Sequence, residues 1–183
     1  MTTETINDTS QYLTFSLDNE IFALDIAQVR EVLELSPITR IPRTPQFMRG
    51  VINLRGHAVP VVDMRLKFGM NHIEDTVNTC IIIVEAHFGD ERSVLGALVD
   101  SVSEVIEMPP SVIEPTPRMG TAIKSDFIRG IGKHDERFII VLDVGRVFSE
   151  EELEMLSAQS RAGGDDSGKT IPVKRNPAGA MAV

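Results

Sequence analysis

The chain has no tryptophan, one cysteine and few aromatic residues. Aromatic residues make up 5% of its 183 residues, so a folded core must be built mainly from aliphatic side chains. Cys80 is alone and cannot form an intrachain disulfide, and its apolar neighbours predict a buried core thiol. The N-terminal residues lack the basic and apolar segments of a signal peptide, and no apolar run is long enough to cross a bilayer. We therefore expect a cytoplasmic protein.

Positive charge is also scarce. The formal net charge is -9, with 18 Lys and Arg residues against 27 Asp and Glu residues. This balance disfavours binding to the phosphate backbone of nucleic acids and to anionic membrane surfaces. Hydrophobic residues account for 42% and charged residues for 25%, which is typical of a soluble globular protein.

Catalytic and metal-binding patterns are missing as well. None of the four histidines stands three to five residues from another, so the sequence contains no local pair of metal ligands. The tail segment GGDDSGKT matches the phosphate-loop pattern, but that loop needs a preceding strand and a following helix. Asp165 and Asp166 within it would repel phosphate. We predict no catalytic residues, no metal and no cofactor.

What the sequence does contain is a series of short alternating segments. Leu13, Phe15 and Leu17 alternate with polar residues, as in a half-buried strand. Further strands are predicted at Phe22–Ile26, Val51–Leu54, Ala58–Asp63, Thr79–Glu85, Val94–Val99, Val102–Met108, Phe127–Ile131 and Arg137–Asp143. Strands at this short spacing predict an all-β protein made of small antiparallel barrels or a sandwich.

One helix is predicted near the C-terminus. Ser149 and Glu152 form a capping box, so we expect a helix over 149–159. Residues 160–183 are rich in glycine, proline and charge, and they are predicted to be a disordered tail. Residues 1–10 are predicted to be disordered too.

The sequence repeats itself at offsets of 73 to 80 residues. The matched pairs are Val29–Leu35 with Val102–Met108, Phe47–Val51 with Phe127–Ile131, and Val61–Asp63 with Val141–Asp143. Their order is the same in both copies. We therefore predict one domain over 11–159 that contains two similar subdomains of about five strands each, one over 18–77 and one over 78–148.

The segment from Arg49 to Arg65 predicts a hairpin that turns at Arg55 and Gly56, because glycine supplies a positive φ. Pro60 cannot donate to a strand ladder, so its strand should lie at a sheet edge or carry a bulge. An exposed edge can be covered by a partner protein. Arg49 and Arg55 fit two readings, simple solvated charge or an ion pair with a carboxylate such as Glu31, and spacing alone leaves both open.

Val29 is an apolar residue between polar ones. Gln28, Arg30 and Glu31 surround it in the sequence. An apolar residue with a polar rim is typical of a compact protein interface.

Several segments together resemble one family. FALDIAQVREV, TRIPRTPQFMRGVINLRGHAVPVVDMRLKF, ALVDSVSEVIEM and FIIVLDVGRVF are similar to the CheW family of bacterial chemotaxis adaptors, over roughly Gln11 to Leu156. The resemblance implies two SH3-like five-stranded β-barrels without enzymatic activity. It also implies that the protein links the hairpin tips of methyl-accepting chemoreceptors to the regulatory domain of the histidine kinase CheA, with CheW-like neighbours in rings at the membrane array.

The resemblance also points to site residues. Val29, Glu31, Gly50 and Arg55 match positions tied to receptor coupling, with Glu31 and Arg55 as a charge pair. Ile26, Asn53 and Val102 would line a groove between the barrels, and Arg49 occupies a position that is often basic.

Two alternatives remain open at this point. The chain could be the CheW-like regulatory module of a CheV-type or CheA-type protein. It could also be an unrelated barrel that binds a small molecule, which would need a pocket with convergent polar groups.

Overall fold

The computed structural model describes residues 9–88, 90–116, 126–149 and 151–156. Eleven strands cover most of these ranges: β1 (Ser10–Leu17), β2 (Glu20–Asp25), β3 (Val29–Glu34), β4 (Met48–Leu54), β5 (His57–Asp63), β6 (Cys80–Phe88), β7 (Glu91–Val99), β8 (Ser101–Met108), β9 (Ile113–Glu114), β10 (Ile128–His134) and β11 (Arg137–Leu142). Two one-turn helices follow hairpins, α1 (Met64–Lys67) and α2 (Val144–Val147), and residues 151–156 form a third helix, α3. The prediction of an all-β protein is confirmed.

The strands form two sheets. Sheet one has the order β3-β6-β7-β5-β4, and sheet two has the order β8-β1-β2-β11-β10-β9. All neighbours are antiparallel except β5 with β7 and β2 with β11. The chain leaving β3 returns to the far edge of sheet one through a bridge between Thr39 and Val51. In sheet two the chain leaving β8 likewise crosses to the opposite edge, where β9 pairs with β10.

The two sheets are related by the sequence repeat, but each borrows a hairpin from the other copy. The β6–β7 hairpin of the second copy pairs with β3 and β5 of the first. The β1–β2 hairpin of the first copy pairs with β8 and β11 of the second. The sheets therefore do not divide the chain near residue 77, where the subdomain boundary is predicted. Sheet one is continuous over 29–99, and sheet two joins 10–25 to 101–142.

The residues matched by the repeat have specific structural roles. A Cβ atom on Gly50 would lie 2.0 Å from the Thr39 carbonyl oxygen, and one on Gly130 would lie 2.7 Å from the Glu114 carbonyl oxygen. Only glycine lets the returning segment pass this close to β4 or β10. Asp63 accepts hydrogen bonds from the backbone N–H groups that begin α1, and Asp143 does so for α2. The repeat thus marks backbone constraints that both sheets share.

A central core lies between the sheets, and each sheet also buries a small core of its own. The central core receives side chains from both sheets, and four phenylalanines cross it. Phe15, Phe22, Phe68 and Phe127 stack in series, with ring centroids 5.7, 5.7 and 4.9 Å apart. Offset aromatic stacking adds to the burial of the rings. The central core is therefore common to the two repeats.

Arg65 and Asp100 connect three parts of the chain: α1, the β7–β8 connection and the β1–β2 turn. Its guanidinium donates to both carboxylate oxygens of Asp100 at 2.6 Å, and only 10% of the Arg65 side chain is exposed. Asp100 is the single residue between β7 and β8. It also accepts a hydrogen bond from the backbone N–H of Asp18, in the β1–β2 turn, at 2.7 Å. A buried, bidentate pair of this kind is costly to break.

The predicted C-terminal helix begins with its capping box formed. The backbone N–H of Glu152 donates to Ser149 Oγ at 3.2 Å, and the Glu152 carboxylate accepts from the backbone N–H of Ser149 at 3.1 Å. Glu152 also binds Lys67 Nζ at 2.7 Å, while Leu153 and Leu156 join the central core. The rest of the predicted helix, the 160–183 tail and most of the 1–10 segment lie outside the described residues.

Two local predictions need correction. The strand with Pro60 is not an edge strand, since β5 lies between β4 and β7, and the bulge lies in β4 instead, with Arg49 as the extra residue between Met48 and Gly50. Pro60 is tolerated because its partner Val51 exchanges both backbone hydrogen bonds with Thr39, and pairing with β7 begins only at Val61. Cys80 is half-buried rather than buried, and its thiol donates to the Asn78 carbonyl.

We expect Gly50→Ala to lower the free energy of unfolding by at least about 3 kcal/mol, because the new methyl group would displace the Thr39 backbone. Gly69→Ala is the matched control. Gly69 also has a positive φ, of 75°, but nothing lies within 4 Å of its Cβ position, so the expected loss is about 1 kcal/mol. Urea denaturation measures both. Equal losses would contradict the close approach of Thr39.

We expect Arg65→Met to destabilise the protein by about 3 kcal/mol, since it leaves the Asp100 carboxylate without its main partner in a half-buried position. Arg146→Met removes an exposed pair with Asp143 and should cost less than about 1 kcal/mol. Thermal or urea unfolding compares the two variants. If Arg65→Met lowered the free energy of unfolding no more than Arg146→Met does, the Arg65–Asp100 pair would not be important for stability.

Candidate functional site

The predicted charge pair is present at one rim of sheet one. The guanidinium of Arg55 donates to both carboxylate oxygens of Glu31, at 2.7 and 3.0 Å. Arg55 sits in the β4–β5 turn with a φ of 51°, and Glu31 lies on β3, the opposite edge of the same sheet. The pair therefore joins the two edges of sheet one across its open end. The Arg55 side chain is 72% exposed, so a partner protein can reach it.

Electrostatics follow from this geometry. The hydrogen bond from Arg55 holds the pKa of the Glu31 carboxyl below its usual 4.5, with partial desolvation opposing the shift. The same hydrogen bond raises the pKa of Arg55. Both groups are therefore charged at neutral pH, and the pair presents a fixed, planar arrangement of donors and acceptors.

A bulge in β3 separates the predicted residues onto two faces. Val29 pairs with Val84, whose side chain lies in the central core, whereas Glu31 pairs with Ile83, which lies in the core of sheet one. Arg30 is the extra residue between them. In a regular strand Val29 and Glu31 would share a face, but here they point to opposite sides.

Val29 belongs to a set of half-buried apolar residues on the central core. Ile26, in the one-turn 3₁₀ helix Ile26–Gln28, and Val102, on β8, also pack against this core while remaining partly exposed. Val29 lies in sheet one and Val102 in sheet two, while Ile26 lies in the connection between β2 and β3. We call Ile26, Val29 and Val102 the apolar strip.

Asn53 serves the turn next to Arg55. Its side-chain oxygen accepts the backbone N–H of Gly56 at 2.8 Å, which fixes the turn that displays Arg55. Asn53 is exposed, and it lies on the same face of β4 as Val51, which packs against the central core. It can therefore contribute both to turn geometry and to the surface.

Gly50 and Arg49 occupy different surroundings. Gly50 is buried under the Thr39 segment, so its role in this structure is to permit close backbone approach. Arg49 lies at the other end of the hairpin from Arg55, where it binds Asp75 at 3.0 Å and Asp63 at 3.4 Å. The structure thus brings Glu31, Asn53 and Arg55 together and keeps Arg49 apart from them.

A second charge cluster adjoins the site and was not predicted. Glu85 on β6 binds Arg30 at 2.8 Å and also binds Arg92 on β7. The hydrogen bond from Arg92 is the main reason that the pKa of Glu85 is lowered. The charge of Arg30 beside Glu31 was the available signal, but its partner Glu85 lies 55 residues further along the sequence.

The described residues contain neither a metal-binding cluster nor a membrane-spanning helix. No group of three or more His, Cys, Asp or Glu side chains there could hold a metal ion. No helix in the same ranges is long and apolar enough to span a membrane.

Comparison with known proteins gives the family. The CheW-like domain profile matches residues 11–152, which is most of the chain. This chain belongs to the CheW-like family. Chemotaxis protein CheW of Klebsiella aerogenes is 35% identical over 146 residues, covering 80% of this chain and 86% of that protein. A probable chemotaxis protein CheW of Rhizobium etli is 34% identical over 144 residues, covering 79% of this chain and 90% of that protein.

A solved CheW structure shares the fold. The scaffolding protein TtCheW from Thermoanaerobacter tengcongensis superposes with a TM-score of 0.72 at 39% sequence identity, covering 80% of this chain and 97% of that structure. The all-β, two-sheet architecture described above is therefore that of a CheW-like protein.

We expect the pKa of Glu31 to rise toward 4.5 in Arg55→Gln, because the hydrogen bond that lowers it is removed. A lowered native pKa contributes stability above the unfolded-state value, and this stability is lost as pH falls below about 4.5 toward the native pKa. Carboxyl NMR titration measures the shift.

Arg92→Gln is the matched control for that titration, since it should raise the pKa of Glu85 and leave Glu31 unchanged. An unchanged Glu31 titration in Arg55→Gln would show that the pair does not form in solution.

Proposed function

We propose that this protein is a non-enzymatic adaptor that couples methyl-accepting chemoreceptors to the histidine kinase CheA. Membership in the CheW-like family is the observation that carries the proposal. The names of similar proteins, chemotaxis protein CheW and a CheW scaffolding protein, support a role in chemotaxis signalling. The adaptor would act in the cytoplasm, at arrays formed with membrane receptors and CheW-like neighbours.

We assign receptor coupling to two adjoining features, the Glu31–Arg55 pair and the apolar strip. A receptor hairpin tip is helical, and its apolar face would contact Ile26, Val29 and Val102. Arg55, held by Glu31 and by the turn that Asn53 stabilises, would supply directed hydrogen bonds at the rim. An apolar centre with a charged edge is how compact protein interfaces combine affinity with register.

The assignment gives Gly50 and Arg49 indirect roles. A side chain at Gly50 would push the Thr39 segment away from β4 and thereby disturb the hairpin that carries Arg55. Arg49 would keep the other end of the hairpin in place through Asp63 and Asp75. Effects of substitutions at either position on coupling would then be transmitted through the hairpin.

The mechanism is geometric. The adaptor presents one surface to the receptor and another to the kinase regulatory domain, and it carries small displacements between them. Each contact needs only moderate affinity, because many identical contacts in an array raise the effective concentration of every partner. No chemical step is required of the adaptor.

We expect Val29→Met and Arg55→His each to weaken binding to a receptor hairpin fragment by about tenfold, since each alters the centre or the rim of the proposed surface. Val112→Met and Arg137→His are matched controls at exposed positions of the second repeat and should bind as wild type. Pull-down and biolayer interferometry with the receptor fragment measure binding.

Circular dichroism checks that all four variants fold, and binding to the CheA regulatory domain checks that the second partner is unaffected. Wild-type receptor binding in both Val29→Met and Arg55→His would refute the site assignment. Absence of receptor and kinase binding by the wild-type protein would refute the proposed function itself.

A further inference from the structure

A cationic cleft lies on sheet one, away from the Glu31–Arg55 pair. It has a volume of about 650 Å³ and runs between the loop before β4 and the region of α1. Three arginines, Arg40, Arg43 and Arg49, line it together with His72, and no carboxylate is among the lining residues. In a chain with a net charge of -9, this concentration of arginine side chains is unusual.

Two of these arginines have no ion-pair partner among the described residues. The third arginine, Arg49, forms ion pairs with Asp63 and Asp75. Arg40 and Arg43 are exposed, and within the described ranges neither forms a salt bridge or a side-chain hydrogen bond. Their charges are therefore available to an external ligand.

The loop that carries them is already shaped. Arg43 has a φ of 61°, a conformation that a residue with a side chain adopts only when its surroundings impose it. Thr44 Oγ1 donates to the Ile41 carbonyl at 2.9 Å, and the backbone N–H of Met48 donates to the Pro45 carbonyl at 2.9 Å. A rigid loop loses little conformational entropy when it binds.

The floor of the cleft is apolar. Ile41, Met48 and Leu66 contribute to its lining beneath the charged side chains. A ligand that suits the cleft therefore carries negative charges next to an apolar group. A long polyanion such as a nucleic acid would also meet the negative surface elsewhere on the protein, whereas a short peptide segment would not.

We propose that this cleft binds a short acidic segment of a protein partner, with two carboxylates on Arg40 and Arg43 and an apolar side chain on the floor. Planar guanidinium groups bind carboxylates through paired hydrogen bonds, which gives orientation as well as attraction. Arg49, at the far end of the β4–β5 hairpin from Arg55, lines the cleft, so its occupant would not compete for the Glu31–Arg55 pair. The cleft is thus separate from the surface assigned to receptor coupling.

The test uses a fluorescein-labelled peptide in which glutamates flank leucines, and fluorescence anisotropy against the full chain. We expect binding that weakens as salt is added and that falls by about tenfold in Arg40→Glu with Arg43→Glu. Lys133→Glu with Arg137→Glu is the matched control, because it makes the same charge change at exposed positions of the second repeat and should bind within about twofold of wild type. Amide NMR shifts should concentrate in residues 40–49, Leu66 and His72, which line the cleft.

Several results would overturn the proposal. These are no binding at millimolar peptide, equal binding of the peptide with glutamine in place of glutamate, equal losses in the two double variants, or shifts that lie mainly outside residues 40–49, Leu66 and His72. Shifts there with inorganic phosphate but not with the peptide would identify a small-anion site instead. Tighter binding of a single-stranded DNA oligonucleotide would identify a nucleic-acid surface. Receptor binding is measured separately, so failure here leaves the proposed function standing.

Discussion

The exchange of hairpins between the two repeats is the constraint on which the rest of the structure depends. Neither repeat can complete its sheet alone, since β6–β7 fills sheet one and β1–β2 fills sheet two. The same hairpins carry residues such as Phe15, Phe22 and Val84 into the central core. The two sheets are therefore a single cooperative body, although the sequence looks like a simple tandem duplication.

This arrangement also places the candidate site. The apolar strip draws on both sheets because the central core is where the sheets meet, while the Glu31–Arg55 pair belongs to sheet one alone. The two features adjoin only because Val29 and Glu31 are two residues apart with a bulge between them. A surface that combines a shared apolar centre with a rim from one repeat is inherently asymmetric, which would suit the proposed adaptor because an adaptor has to distinguish between its partners.

Much of the fold could be predicted from short-range chemistry. The alternation of apolar and polar residues predicted the strands, and Gly56 predicted the hairpin turn. The capping box of Ser149 and Glu152 predicted the start of a helix. The exchange could not be predicted, because alternating aliphatic strands carry no mark of which partner they choose at long range. That Val29 and Glu31 point to opposite faces could not be predicted either. A strand pattern assumes that residues two apart share a face, and the bulge at Arg30 breaks this rule. The cleft at Arg40 and Arg43 lies in a loop, where periodicity says nothing about which side chains converge.

The single residue between β7 and β8 has a mechanical consequence. Asp100 is the whole connection between the sheets at this point, and Arg65 holds it from α1. A one-residue connection leaves little slack between β8, where Val102 lies, and β7 in the interior of sheet one. In the proposed adaptor, a displacement of β8 would therefore be passed to sheet one rather than absorbed by a flexible linker.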